Sequence, residues 1–257
     1  MTPEILQQSQ APISADLAAI LNVLSQEQSA HLTFAKPFIN AAIANEHLIA
    51  SSVLMLSARA AGAASDDDRD APTLHAFAAA MELMVLSLEA HARLGNQRSG
   101  DAAQAQNEGE GEVSSPLLSL GTPAGVLLGD VLYTRAFQIV VKTGHAPGLT
   151  EIARATERMV TAAAREHIAT TAGTHPAPDD PARVNPFRRE AYAACCRLAA
   201  VLTPVTQDQH ALLFSLADRM TGSVQLESAL PDTSVLRDCF APSMYRDALS
   251  GLLASLV

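Results

Sequence analysis

Apolar residues recur at spacings of three and four along most of the chain, which is the pattern of helices with one buried face. The pattern is clearest between residues 72 and 94. There the apolar positions include Leu74, Phe77, Met81, Met84 and Leu88. Pro72 is compatible with the first turn of a helix. We therefore predict an amphipathic helix over 72–94, with Met81 and Met84 in the core rather than along a ligand cavity.

The same reasoning predicts helices along the rest of the chain. Ser14 is expected to cap a helix that ends near Gln28, and residues 32–61 are expected to form two helices joined by a tight turn at 45–47. Further helices are predicted at about 123–142, 149–171, 187–202, 206–226 and 244–256. Alanine and leucine favour helices, and residues that favour strands are sparse. The predicted fold class is all-α.

Three polar segments interrupt the helical pattern, near 63–71, 95–115 and 173–186. The segment 95–115 reads GNQRSGDAAQAQNEGEGEVSS, with one apolar residue beyond alanine. Such a sequence buries too little apolar surface to offset the entropy of ordering. Prolines interrupt the helical pattern in the segment 173–186. We predict flexible loops at these places within a single domain that spans residues 1–257.

Composition and charge exclude several classes of function. Hydrophobic residues make up 48% of the 257 positions, and the formal net charge is −10, which disfavours nucleic acid and anionic membranes. No apolar stretch approaches the roughly 20 residues that span a bilayer, and the N-terminus lacks the pattern of a signal peptide. We expect a cytoplasmic protein with no transmembrane segment. Its three cysteines, Cys195, Cys196 and Cys239, are expected to be buried thiols.

Residues 127–138, LLGDVLYTRAFQ, resemble the VGD-(L/I)-YTRAF helix of octaprenyl diphosphate synthases, members of the trans-polyprenyl diphosphate synthase family. Further segments resemble that family in the same order along the chain. They are VLMLSARAAG at 53–62, AAAMEL at 78–83, LPDT at 230–233 and YRDALSGL at 245–252. The resemblance implies a single-domain helical bundle of the isoprenoid-synthase type. It also implies a relation to enzymes that join an allylic diphosphate to isopentenyl diphosphate.

The resemblance implies two aspartate-rich Mg²⁺ motifs on facing helices, and this chain departs from both. Where the family reads LLHDDVVD, the chain keeps His91 but has Ala92 and Arg93 in place of the aspartate pair. Where the family reads FQLIDDLLD, residues 224–232 read VQLESALPD. Diphosphate chemistry requires hard cations on oxygen ligands. We therefore predict no catalytic, metal or cofactor residues in this chain and interpret His91 as a partly buried structural histidine.

The anchor for isopentenyl diphosphate is altered as well. The family's GGKRIRP falls on residues 45–51, NEHLIAS, so that His47, Leu48 and Ala50 replace one lysine and two arginines. Charge-assisted contacts to a diphosphate are lost with them. Arg98 alone is kept from the family's RRG. Acidic residues at 66–70 and 179–180 lie in polar segments and are expected to be solvated rather than to bind a metal.

Family members are dimers, and the resemblance places the helix with the YTRAF sequence at their interface. Some long-chain synthases pair a catalytic chain with a non-catalytic one. We therefore predict a non-catalytic subunit that supports the synthesis of isoprenoid quinone side chains. Its partner would be a catalytically complete polyprenyl diphosphate synthase, which would bind the Mg²⁺, and a homodimer is also possible. The predicted interface residues are Leu128, Leu132, Tyr133, Phe137 and Val140.

Three alternatives stay open at the level of sequence. The chain could be a divergent, terpene-synthase-like enzyme on the same fold. It could also bind a prenyl chain or a prenyl diphosphate in a remnant cavity. Finally, the five interface residues could belong to the chain's own core.

Overall fold

A computed structural model of the chain describes residues 2–26, 40, 48–62, 70–104, 121–172, 185–221, 236 and 240–256. Side chains are described within these ranges except at 92–104, 121–124 and 170–171. The described backbone forms helices and turns and contains no strand. The predicted all-α fold class is confirmed.

The described residues form α-helices that we number in chain order. They are α1 Pro3–Gln10, α2 Ser14–Gln26, α3 Ile49–Ala60, α4 Ala71–Gln104, α5 Gly121–Lys142, α6 Ala146–Thr171, α7 Pro186–Leu202, α8 Gln207–Thr221 and α9 Met244–Ser255. A short 3₁₀ turn, Ala11–Ile13, joins α1 to α2. The helices α5 to α9 begin within a few residues of their predicted starts, because the apolar periodicity locates them.

Local capping explains several exact helix starts. The side chain of Asn185 accepts a hydrogen bond from the Phe187 amide at 3.1 Å, which fixes the start of α7 just before Pro186. The side chain of Ser243 accepts from the Arg246 amide at 3.2 Å at the start of α9. At α6, the ring nitrogen Nδ1 of His145 accepts from the Gly148 amide at 3.0 Å. These side chains replace intrahelical acceptors that a first turn lacks.

The structure corrects the predicted N-terminal region and one predicted loop. Helix α1 was not predicted, and Ser14 is not an N-cap, because its φ of −58° and ψ of −36° are helical and continue the turn from α1. Helix α4 continues to Gln104, so the prediction of a loop over 95–115 is wrong for residues 95–104. Residues 63–69, 105–115 and 173–184 of the predicted loops lie outside the described residues.

Helices α3, α4 and α7 form the centre of the bundle. Every residue from Ala50 to Ala60 and from Ala191 to Ala200 is buried. Small side chains line the contacts between these helices and let their backbones approach closely. Helix α5 packs on α4, while α6 and α8 pack on α7 and α9 packs on α3. Met81 and Met84 are buried, which confirms their predicted place in the core.

Cys195 and Cys196 lie inside this centre as free thiols, as predicted for both. Burial raises the pKa of Cys196 to about 11, although a hydrogen bond from Ser57 partly opposes this rise. Burial also raises the pKa of Cys195 well above its usual value. Both side chains therefore stay as neutral thiols and fill space between α7 and its neighbours. Cys239 lies outside the described residues.

One helical segment among the described residues, Ala71–His91, is long and apolar enough to cross a membrane by length and composition alone. The expectation that no apolar stretch approaches that length is therefore wrong. However, 67% of the most apolar 18-residue stretch of this segment is buried inside the chain, as is usual for the core helix of a bundle. This segment is the greater part of α4, the helix on which α3, α5 and α7 pack.

A partly buried ionic cluster joins α2, α3 and α4. The Asp16 carboxylate accepts two hydrogen bonds from the Arg59 guanidinium, at 2.7 and 3.2 Å, and lies 2.8 Å from Nε2 of His75. The Arg59 side chain is only 2% exposed. Burial opposes ionisation of Asp16, but its bonds to His75 and Arg59 and the charge of Arg59 outweigh burial and lower the pKa of Asp16 below its usual 3.8.

We expect Asp16→Asn to lower the free energy of unfolding by about 3 kcal/mol at pH 7, because it removes the carboxylate that balances a buried guanidinium. Since the folded-state pKa of Asp16 is lowered, its contribution is complete above its usual value of 3.8 and is lost as the pH falls through the folded-state pKa. Urea unfolding at pH 7 and at pH 3 measures both effects. The exposed Asp208→Asn on α8 is the matched control, and equal losses in the two variants would contradict the prediction.

Candidate functional site

The buried part of α4 carries polar side chains, and each is bound to a neighbouring helix. They are His75, which contacts α2, Glu82, which contacts α3, Ser87 and His91, which contact α5, and Glu89, which contacts α7. The resemblance places the first aspartate-rich motif at the end of this same stretch. The partners of these side chains therefore determine what α4 can do chemically.

Glu82 stabilises the N-terminus of α3. Its Oε1 accepts a hydrogen bond from the Ser51 amide at 2.7 Å, and both residues are buried. The residue before the helix, Leu48, adopts a left-handed φ of 54° and makes no side-chain cap. A carboxylate at this end is favoured by the free amide and by the helix dipole. Glu82 belongs to the segment that resembles the family's AALIEF, and its contact here is structural.

Helices α4 and α5 lie close together at Gly129. The Ser87 hydroxyl donates to the Gly129 carbonyl at 2.8 Å, and Nε2 of His91 lies 3.2 Å from the Val126 carbonyl and 3.4 Å from Oδ1 of Asp130. A β-carbon at position 129 would overlap the His91 ring. The presence of glycine at 129 and aspartate at 130 therefore has a local explanation. Gly129 leaves room for the His91 ring, and Asp130 lies within ion-pair distance of it.

Glu89 joins α4 to the first turn of α7. Its carboxylate is buried and forms an ion pair with Arg188. Two buried carboxylates, Glu82 and Glu89, thus lie on the described part of α4, and both are bound to groups of this chain. Breaking either contact to free the carboxylate would cost several kcal/mol.

The positions that the resemblance assigns to metal and diphosphate lie partly outside the described residues. The backbone of Ala92 and Arg93 is helical. The described part of the chain contains no group of three His, Cys, Asp or Glu side chains that could hold a metal ion. Side chains not described include those of His47, Asp66–Asp68, Arg98, Asp179, Asp180 and residues 224–232. The predicted absence of a metal site stays a prediction.

A second polar cluster joins α6, α7 and α8. Arg158 pairs with Glu151 at 2.6 Å and lies 3.7 Å from Glu190, while Arg197 pairs with Asp218 at 2.7 Å. Burial raises the pKa of Glu190, although the Arg158 and Arg197 charges oppose this. Three atoms, Arg158 Nε, Glu190 Oε2 and Arg197 Nη1, are closed to water and have no hydrogen-bond partner. The cluster lies at the contact between these three helices.

The five predicted interface residues of α5 are divided between two faces of the helix. Leu128, Leu132 and Val140 are buried within the chain, in the core cluster that includes the neighbouring face of α4. These three side chains pack within the chain's own core, and the role of the helix as an interface stays a prediction. Phe137 is partly buried against the same cluster, and Tyr133 is 38% exposed. The aromatic rings of Tyr133 and Phe137 lie 5.0 Å apart.

The outward face of α5 includes apolar residues that the predicted set left out. Leu127 is 64% exposed and Val141 is 59% exposed, and Val126 is exposed as well. The sequence carries a signal for them, because Leu127 and Val141 are 14 residues apart and so lie on one face, four turns from each other. These exposed apolar residues make the outward face of α5 a candidate contact surface.

No protein-family model matches the chain, and no curated protein matches it. Solved structures do. A decaprenyl diphosphate synthase from Rhodobacter capsulatus aligns with a TM-score of 0.61 and 18% identity, over 83% of this chain and 62% of that one. A polyprenyl synthase from Caulobacter crescentus CB15, complexed with calcium and isoprenyl diphosphate, aligns with a TM-score of 0.66 and 17% identity, over 98% of both chains.

These likenesses establish the fold. The chain is a helical bundle of the trans-prenyltransferase type, as the resemblance implied. The chain spans less than two thirds of the length of the Rhodobacter synthase, so its agreement with that enzyme covers the shared bundle alone.

We expect the effect of Gly129→Ala to depend on His91, because the added methyl group displaces the ring from Val126 and Asp130. In a His91→Ala background, the substitution should raise the free energy of unfolding by about 1 kcal/mol, the helix preference of alanine over glycine. With His91 present, displacement of the ring should offset that gain. Urea unfolding of the four proteins gives the coupling energy, and equal effects in both backgrounds would contradict the assigned contact.

Proposed function

We propose that this chain is a non-catalytic subunit of a heteromeric long-chain polyprenyl diphosphate synthase and supports the synthesis of isoprenoid quinone side chains. Its partner is a catalytically complete chain of the same fold, which binds the Mg²⁺ and both diphosphates. This chain contributes a contact surface and takes no part in the chemistry.

One observation carries the proposal, and it concerns the carboxylates of α4. Among the side chains of α4 that the structure describes, the buried carboxylates Glu82 and Glu89 are bound to α3 and α7. At the positions where the resembled family has its aspartate pair, the chain has Ala92 and Arg93. Expulsion of pyrophosphate requires cations held by oxygen ligands. An arginine at the second position adds positive charge where a metal ion would have to bind.

The divergent-enzyme alternative has less support. It needs another carboxylate group that triggers departure of the diphosphate, and the described residues contain no such cluster.

The prenyl-binding alternative requires free space beside α4. There, the Thr156 hydroxyl of α6 lies 3.7 Å from the Met84 sulfur, and Met81, Ala155 and Met159 are fully closed to water. These contacts bring α4 and α6 together at this point. The prenyl-binding alternative stays open, and a binding assay with a prenyl diphosphate distinguishes it from a role in association.

Association is supported by the outward face of α5. Leu127 and Val141 expose more than half of their surface, and helix α5 makes its main described contacts with α4 alone. A partner that covers this face would remove apolar surface from water at about 25 cal/mol per Å².

We expect the purified chain to transfer no prenyl group from any allylic diphosphate to isopentenyl diphosphate in the presence of Mg²⁺. The reason is the lack of carboxylates for two cation sites. Radiolabelled isopentenyl diphosphate and extraction of the product measure turnover. A matched preparation of the full-motif synthase is the positive control, and turnover by this chain alone would refute the proposal.

We expect Leu127→Asp and Val141→Asp to abolish co-purification with the full-motif synthase of the same organism, because a charge in the contact would be desolvated at a cost of several kcal/mol. Ile5→Asp, on the exposed side of α1, is the matched control and should keep the partner. Leu132→Asp, in contrast, should unfold the chain itself.

Affinity purification after co-expression, with a circular dichroism melt on each variant, separates loss of the partner from loss of the fold. If the wild-type chain and the synthase, once mixed, elute separately on size-exclusion chromatography, the proposal is refuted.

A further inference from the structure

The carboxylates at the contact between α6, α7 and α8 are not bound equally well. The Arg158 guanidinium donates to Glu151 at 2.6 Å, and the Arg197 guanidinium donates to Asp218 at 2.7 Å. Glu190 has a weaker contact, since its Oε2 lies 3.7 Å from Nε of Arg158, a separation too long for a hydrogen bond. Both arginines thus have a carboxylate other than Glu190 as their hydrogen-bonded partner.

The Oε2 atom of Glu190 is unsatisfied as well as buried. Among the described residues it is closed to solvent and has no hydrogen-bond partner, and the same is true of Arg158 Nε and Arg197 Nη1. A carboxylate oxygen in such a position has lost its hydration without gaining a donor, and this loss is more costly for an ionised group than for a neutral one. The geometry therefore disfavours the ionised form of Glu190.

The charges around Glu190 do not offset this cost. Burial raises the pKa of Glu190 above its usual 4.5, while Arg158, Arg197 and Arg165 oppose the rise and Asp218 adds to it. Arg165 is exposed, so that water weakens its attraction. The other two arginines are bound to carboxylates of their own. The effect of burial thus exceeds that of attraction.

Helices α3 and α4 also pack on α7, but the carboxylates and guanidinium group described on them are bound elsewhere. On α4, Glu82 is bound to α3 and Glu89 is bound to Arg188. On α3, Arg59 is bound to Asp16. The protonation of Glu190 is therefore governed by the contact of α7 with α6 and α8.

We propose that Glu190 is a proton-binding group that regulates the contact among α6, α7 and α8, with the neutral side chain holding the three helices together more firmly than the ionised one. Uptake of a proton removes a negative charge that lacks a close partner and leaves both arginine–carboxylate pairs of the cluster intact. The contact is strengthened as the pH falls, which is the opposite of the response of the Asp16 cluster.

The pH range follows from the raised pKa of Glu190. The stability that the neutral side chain contributes is complete below its usual value of 4.5 and is lost as the pH rises through the folded-state pKa. At pH 7 the ionised side chain therefore makes the folded chain less stable than a neutral side chain of the same size would.

Glu190→Gln tests the proposal, because it removes the charge and keeps the size of the side chain. The urea midpoint of the variant should lie above that of the wild-type chain at pH 7, and the difference should shrink as the pH falls towards 4.5. A midpoint at pH 7 that is equal to or below that of the wild-type chain would overturn the proposal.

Two variants with the same change of charge are the matched controls. Glu151→Gln removes the carboxylate to which Arg158 donates, and it should lower the urea midpoint at pH 7, opposite in sign to Glu190→Gln. Asp208→Asn, at an exposed position of α8, should leave the midpoint nearly unchanged. A rise of the midpoint in all three variants would show a general effect of the chain's net negative charge and would contradict the role of Glu190.

A titration of the wild-type chain needs no variant. The carboxyl carbon of Glu190, followed by nuclear magnetic resonance in a chain with isotope-labelled glutamate, should change its chemical shift with a midpoint above pH 4.5. A midpoint at or below this value would overturn the proposal, whether or not Glu190→Gln folds. Neither measurement contains the synthase, so the result is independent of the proposed function.

Discussion

The whole bundle depends on the enclosure of α4. Helices α3, α5 and α7 pack directly on it, and an unsatisfied polar group in such a place costs about 1–3 kcal/mol. Each polar side chain on the buried stretch must therefore bind the helix beside it. Glu82 holds the start of α3, Ser87 and His91 hold α5 at Gly129, and Glu89 holds α7 through Arg188. These contacts fix the register of three helices.

This use of α4 limits its chemistry. A carboxylate that closes a helix–helix contact is held in place by its partner, and moving it away to coordinate a metal ion would leave a buried charge unbalanced. The family that the sequence resembles has its first metal motif at the end of the corresponding helix. Here His91, the residue kept from that motif, binds the Val126 carbonyl and lies beside Asp130 on α5. His91 thus connects α4 to α5, the helix proposed to meet a partner.

Sequence periodicity predicted the fold class and the positions of α5 to α9, because their apolar residues recur over several turns. It missed α1 and the last ten residues of α4, since these segments are too polar to show a buried face, and helix formation there follows from continuity with a neighbouring turn or helix. The ion pairs between helices could not be predicted from the sequence, because the two partners of each pair are far apart along the chain. Asp16 and Arg59 are 43 positions apart, and Glu89 and Arg188 are 99 apart.

Helix α5 shows why the candidate contact surface was only partly predictable. Its apolar residues occupy two faces, and periodicity alone does not tell which face meets the chain's own core. The answer comes from α4, because Gly129 brings the two helices together at Ser87 and His91. That contact turns Leu128, Leu132 and Val140 inward and leaves Leu127 and Val141 in solvent. The outward face is therefore a consequence of the polar contacts of α4. A chain that keeps those contacts keeps this face, whether or not its chemistry is retained.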